Sequence, residues 1–299
     1  MTEYEFIPWI GSRLTKDGGQ ITIRGMATFN EGLTDEELVS LGATLKEYLL
    51  SIEEENDGLP EVSEEEHDRR YEGWISRSKI MDVPQSYTAG AVYKFMSDGA
   101  LSHWLAGRAQ ISPVSDYRKT ENAFARDEQE GFGAFYLHDG RTAAYFEGAA
   151  ASNCGVMCFT ASTENRTEMK GKFGERLVRF PDANALLQVI AAHLDVVDYE
   201  LKDVQYSDVK VYSHETALAS EICELIGDSG KIDPQNLVTL FERHSDELLR
   251  LAELPSVFCK PKTFESESER RAVFRFRHAI GSPIVVTDKR IADLVEVVE

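Results

Sequence analysis

The sequence predicts an α+β protein: a mixed, mostly antiparallel sheet flanked by helices, with a small acidic N-terminal module. Three observations predict it. Strand-like and helix-like segments mix without a regular βαβ repeat. Two alternating runs, 133–138 and 142–147, flank Asp139-Gly140, which signals a tight antiparallel hairpin. Helical stretches start at residues suited to that position: Thr34, Asp98, Asp182 and the pair Asp233-Pro234.

Taken in chain order, residues 1–33 form a short β unit, with Gly18-Gly19 turning into the alternating run 20–24. Thr34 and Glu37 make a capping box that opens a helix to about residue 54. Residues 53–68 are dense in acid and read as an exposed linker. These segments make up an N-terminal module of residues 1–85, and the main domain is 86–299. A strand at 91–96 leads to a short helix over 99–106, capped by Asp98 and ended by Gly107. Strands follow near 110–112 and, after a charged loop at 116–131, in the hairpin and at 155–160. A helix from Asp182 to about 194 precedes a strand at 204–211. Helices are expected from Ser213 to 226 and from Pro234 to about 251. Strands at 257–260, 271–276 and 284–286 close the chain.

Composition narrows the function. The 299-residue chain has 42% hydrophobic residues, enough for a packed core. Its net charge is −20, and residues 1–85, with 19 acids and 8 bases, hold more than half of the excess. Such a chain is a poor generic binder of phosphate backbones, so nucleic acid enters only as a substrate. The cysteines Cys154, Cys158, Cys223 and Cys259 form no CxxC pair and read as free core thiols. No apolar run approaches the ~18 residues of a membrane span. The start Met-Thr-Glu-Tyr-Glu has no signal-peptide character, so the expected setting is cytoplasmic. Phosphate-loop, nucleophile-elbow and zinc-protease motifs are missing.

The stretch Glu265-Ser266-Glu267-Ser268-Glu269-Arg270-Arg271 concentrates the chemistry. In an extended chain its three acids share one face about 7 Å apart. Like charges that close raise one another's pKa. The cluster can hold a cation, grip a sugar hydroxyl or supply a base, and a solvated strand edge is the plain alternative. Lys260 or Lys262 beside Glu267 and Glu269 would suit a nuclease. Asp127, Glu128 and Glu130 could take Mg²⁺, but no metal site is assigned. His103 reads as a helix-end residue, and Arg118, Lys119 and Arg126 as a solvated loop.

Several patterns in order over about 92–276 resemble a bacterial domain-of-unknown-function family, number 2971. They include Val92-Tyr93-Lys94-Phe95, Gln110-Ile111-Ser112-Pro113 and the acidic run Asp127 to Gly131. Cys158-Phe159-Thr160, Met169 with Phe173-Gly174, Val204-Gln205-Tyr206 and Phe264-x-x-Glu267-x-Glu269-Arg270-Arg271 complete the set. A looser set resembles ADP-ribosyltransferases of the Arg–Ser–Glu kind. These carry a basic residue on a first strand, a Ser-Thr-Ser-like segment on a second and Glu-x-Glu near a third. Here Tyr93-Lys94, Ala161-Ser162-Thr163 and either Glu265-Ser266-Glu267 or Glu267-Ser268-Glu269 match, with Lys94 in place of Arg.

That resemblance implies NAD as co-substrate and a macromolecular acceptor, in a bacterial or phage toxin or antiviral defence effector. Its catalytic residues would be Glu267, Glu269 and Ser162, the last orienting a carboxylate. Its cofactor contacts would be Tyr93, Lys94 and Thr163. Glu269→Gln is then expected to abolish activity and leave the fold intact. The competing expectation is a non-catalytic acidic protein that binds a basic protein partner or mimics nucleic acid. Convergence of Lys94, Ser162 and Glu267 or Glu269 separates the two.

Overall fold

A computed structural model of the chain describes residues 4–8, 13–16, 19–29, 90–118, 132–138, 142–149, 153–207, 211–225 and 234–299. The capping box at Thr34, the acidic linker and the Asp127–Glu128–Glu130 cluster lie outside these residues, as do Lys119 and Arg126.

Two sheets and the helices between and around them make the fold, which is α+β with mostly antiparallel pairing. The first sheet contains β1 (Tyr4–Pro8), β2 (Arg13–Lys16), β3 (Gly19–Phe29), β6 (Phe132–His138), β7 (Thr142–Ala149) and β12 (Val211–Glu215). Its order is β1-β3-β7-β6-β12, with β2 on β3. The hairpin read from Asp139-Gly140 is the antiparallel pair β6–β7. β3 pairs with β7 from Gln20↔Ala149 to Thr28↔Thr142. The first strands are therefore the flank of a main-domain sheet, which departs from the expected boundary at residue 85. Sequence alternation marks a strand but not its partner.

The second sheet runs β10-β14-β8-β4-β9-β16. Its members are β4 (Val92–Met96), β8 (Cys154–Thr160), β9 (Arg176–Phe180), β10 (Val196–Asp203), β14 (Glu269–Phe276) and β16 (Glu296–Val297). β5 (Arg108–Pro113) also pairs with β8 and carries β15 (Ile284–Thr287). β11 (Gln205–Tyr206) and β13 (Cys259–Lys260) make a short parallel pair.

This second sheet is covered on both faces, and alternation in β8 shows how. Cys154 and Val156 join one core with Phe135, Phe146 and Val273. The helices α4 (Leu218–Glu224) and α5 (Pro234–Val257) pack into that core through Leu218, Ile222, Leu248 and Ala252. Met157 and Phe159 point the other way, against Trp104 of α1 (Asp98–Leu105) and Leu186, Leu187 and Ile190 of α3 (Ala183–Ala191). A strand buried on both faces reads as a near-continuous apolar run, as 155–160 does. Gly155 sits where a Cβ would come within 2.5 Å of Ile111 Cγ2, so the close packing of β5 on β8 needs glycine.

Local signals held in part. Asp182 caps α3 by accepting from Ala185 N at 2.9 Å. The cap of α1 is Ser97, which accepts from Ala100 N, and the expected cap Asp98 lies in the first turn. α2 (Arg166–Phe173) and the strands β9 and β10 were not anticipated. The strand expected at 204–211 is instead the short β11 and the later β12, which takes up the start of the helix expected from Ser213. α5 runs past the expected end near 251 and includes Pro255. Cys154, Cys158 and Cys259 are free thiols. Among the described residues no helix is long and apolar enough to cross a membrane.

Candidate active site

The three segments singled out in the sequence lie at three neighbouring strands, in the order β14-β8-β4: Glu269 starts β14, Ser162 and Thr163 follow the end of β8 at Thr160, and Tyr93 and Lys94 lie within β4. One register row links them: Glu269 is opposite Thr160, and Thr160 is opposite Tyr93. Paired residues in adjacent strands present side chains to the same face. The sheet thus brings the carboxylate segment, the hydroxyl segment and the Tyr93-Lys94 segment to one end of three strands.

The acidic stretch is not extended as its alternation suggested. Residues Lys262–Glu267 form a 3₁₀ turn, Ser268 takes a left-handed conformation (φ 44°), and β14 starts at Glu269. This break separates the acids. Glu265 stays exposed, while Glu267 and Glu269 are each about 4% exposed. The turn is held from outside. Asn165 donates to Ser266 O at 2.8 Å, and Ser266 Oγ donates to Glu168 of α2 at 2.6 Å. Ala161 N donates to Ser268 O at 2.8 Å.

Lys260 is the centre of the buried cluster. Its Nζ lies 2.9 Å from Glu267 Oε2, 3.0 Å from Glu269 Oε2 and 4.3 Å from the centre of the Phe264 ring. Arg271, fully buried, donates from Nε to Glu269 Oε1 at 2.8 Å and from a terminal nitrogen to Val257 O. Both oxygens of Glu269 therefore hold buried cations. Glu267 Oε1 accepts no hydrogen bond, and Lys172 Nζ of α2 lies 3.8 Å from it.

The titration behaviour follows from these contacts. Burial favours neutral Glu269, but Arg271 and Lys260 outweigh it and hold the carboxyl well below the usual range. Burial pushes Glu267 up, Lys260 pulls it back and Glu269 pushes it up again, so it ends above its ordinary value. Burial works to lower Lys260, yet the two carboxylates keep it strongly protonated. Cys158, buried near Glu269, is pushed up to about 12 and is no nucleophile at neutral pH.

Each expected site residue has a definite place. Lys94 Nζ donates to Cys158 O at 2.5 Å, and its pKa is lowered by burial. β8 forks at this point, since β4 meets it at one residue pair and β5 meets it at Ser112 and Pro113. Lys94 thus satisfies a carbonyl in the gap. Tyr93 packs with Phe95, Met169 and Leu177. Ser162 Oγ accepts from Glu164 N at 3.1 Å, a local turn. Thr163 is half-buried beside it. The hydroxyl in register with Glu269 belongs to Thr160, which donates to Ser162 O at 2.8 Å and lies 3.5 Å from Ser268 O.

Sequence reasoning missed Thr160, Arg271 and Tyr206, whose hydroxyl accepts from Glu269 N. It raised Lys260 only as part of a nuclease. His103 is exposed on α1, as expected of a helix-end residue. No family model, curated protein or solved structure matches the chain.

Proposed function

We propose that the protein is an NAD-using ADP-ribosyltransferase. The observation that supports this reading is the register row Tyr93–Thr160–Glu269, which sets Tyr93 and Glu269 on either side of Thr160, the residue that ends β8 two positions before Ser162.

In this reading the bond between ribose C1′ and nicotinamide breaks, and its electron pair leaves with the nicotinamide nitrogen. A buried carboxylate stabilises the positive charge that develops at C1′. An acceptor oxygen or nitrogen bonds to C1′, and its proton passes to a carboxylate. Glu267 and Glu269 supply the carboxylates, and Lys94 is the nearest match to the family's cation. Thr160 takes over the positioning first assigned to Ser162, because it ties the end of β8 to the Ser268 turn. The acceptor is a macromolecule in the cytoplasm, and the setting implied by the resemblance is a toxin or defence effector.

A second reading has its own observation. Both oxygens of Glu269 and one of Glu267 are bound to Lys260 and Arg271, as a purely structural ion cluster requires. The protein would then be a non-catalytic acidic partner of a basic surface. Incubation of the purified chain with NAD, followed by chromatography for nicotinamide, separates the two. Release that Glu267→Gln abolishes supports the transferase, and no release from the folded protein rejects it.

A further inference from the structure

We infer that Lys260 is the positioning residue of this site: it ties Glu267 to Glu269 through their Oε2 atoms and leaves Glu267 Oε1 as the buried carboxylate oxygen that accepts no hydrogen bond. The inference rests on the transferase reading and assigns the two carboxylates unequal roles.

The geometry of Lys260 is fixed before its side chain begins. β13 is only two residues long, but it pairs in parallel with β11, Tyr206 opposite Lys260. Ser207 N donates to Lys260 O and Gln205 N to Phe258 O, both at 2.8 Å. From this base the ammonium reaches both Oε2 atoms, with the Phe264 ring beside it. Its donors are thereby directed to the two carboxylates and to a ring face. Glu269 has Arg271 on its other oxygen, so it is committed on both sides. Glu267 is committed on one.

The charges that face Glu267 come from four elements. Lys260 lies on β13, Glu269 on β14, Lys172 on α2 and Tyr206 on β11. Lys172 is drawn to Glu168 at 2.7 Å, closer than its 3.8 Å approach to Glu267. Lys260 is thus the cation that holds Glu267 as a carboxylate beside Glu269. Without it, two acids two residues apart in a buried site would share a proton. A protonated Glu267 cannot take the acceptor's proton as C1′ is attacked. Lys260 keeps its own proton throughout the step, so it is not a catalytic residue.

The test uses the full chain with NAD, water serving as acceptor, and a separate titration without NAD. Lys260→Met is expected to lower kcat by ~100-fold or more with KM changed less than ~3-fold. Its activity is also expected to fall off at higher pH on the acid side. Lys260→Arg keeps the charge and is expected to retain most of the activity. In ligand-free protein, carbon NMR of the Glu267 carboxyl is expected to show its titration moved to higher pH in Lys260→Met. Unchanged kcat, or an unchanged Glu267 titration, in a folded Lys260→Met protein overturns the inference. If that variant does not fold, Lys260→Gln, which keeps a hydrogen-bond donor near both carboxylates without the charge, takes its place, and wild-type kcat in it overturns the inference equally. If the wild type cleaves no NAD, the transferase reading fails, and the NMR titration alone decides whether Lys260 governs Glu267.

Discussion

Lys94 donates its ammonium to the main-chain carbonyl of Cys158, 64 residues further on, at the fork where β8 leaves β5 for β4. A sheet that divides leaves carbonyls facing the gap, and a buried carbonyl without a donor is costly. Lys94→Met removes that donor and keeps much of the apolar stem. The expected loss is about 1–3 kcal/mol of unfolding free energy, measured by urea denaturation. A variant as stable as the wild type would show that the carbonyl finds another donor.

The ion cluster predicts a pH-dependent cost for Glu269→Gln. Removing one partner of a buried pair costs about 3–5 kcal/mol at neutral pH. Glu269 has its pKa depressed in the fold by Arg271 and Lys260 against burial, so its contribution is present above the ordinary carboxylate pKa. That contribution is lost as pH falls through the depressed folded value. Urea midpoints are therefore expected to differ between wild type and variant by about the same amount at pH 7 and pH 5, and by less at pH 3. A constant difference would mean that Glu269 is not selectively ionised by the fold. Glu269→Gln is thus expected to weaken the fold, where the sequence alone led to the expectation of an intact one.

Ser268 has a positive φ of 44° between the two buried carboxylates. Left-handed backbone disfavours side chains with a branched Cβ and suits glycine. Ser268→Gly is expected to be neutral or stabilising by up to about 1 kcal/mol, and Ser268→Val destabilising by roughly 1–2 kcal/mol. Thermal melting of both variants checks this. A more stable Val variant would contradict the turn that sends Glu267 and Glu269 onto one lysine.

Arg275 forms a second ionic clasp, joining β14 to β10 and α5. It donates to both oxygens of Glu253, at 2.9 and 2.8 Å, and to Asp198 at 2.8 Å, and it pairs with Glu200. Glu253 is 7% exposed, so Arg275→Met leaves buried negative charge uncompensated. A loss of about 3–5 kcal/mol is expected. A loss below 1 kcal/mol would mean that solvent reaches and screens the three acids.

Much of this was legible in particular residues. Asp139-Gly140 signalled a hairpin because such a pair between two alternating runs favours a tight turn, and β6 and β7 on either side of it pair antiparallel. Asp182 announced α3 because its carboxylate satisfies an amide that the helix leaves free. The pattern at Tyr93 falls within β4, while those at Ser162 and Glu267 fall just outside β8 and β14. What could not be read was which groups they meet. Alternate acids suggested an extended strand, yet Ser268 breaks it, because Asn165 and α2 hold the turn from far along the chain. Lys260, Arg271 and Thr160 gain their roles only through cross-strand register. The pairing of β3 with β7 was equally hidden, since alternation is the same in a lone hairpin and in a six-stranded sheet.

The central claim is that NAD meets the Glu267 carboxylate at the end of β4, β8 and β14. A thermal-shift titration of the full chain with NAD, beside Glu267→Gln, tests it most directly. A saturable rise in melting temperature that Glu267→Gln weakens is the predicted result. No shift at millimolar NAD, or an equal shift in the variant, would contradict the claim.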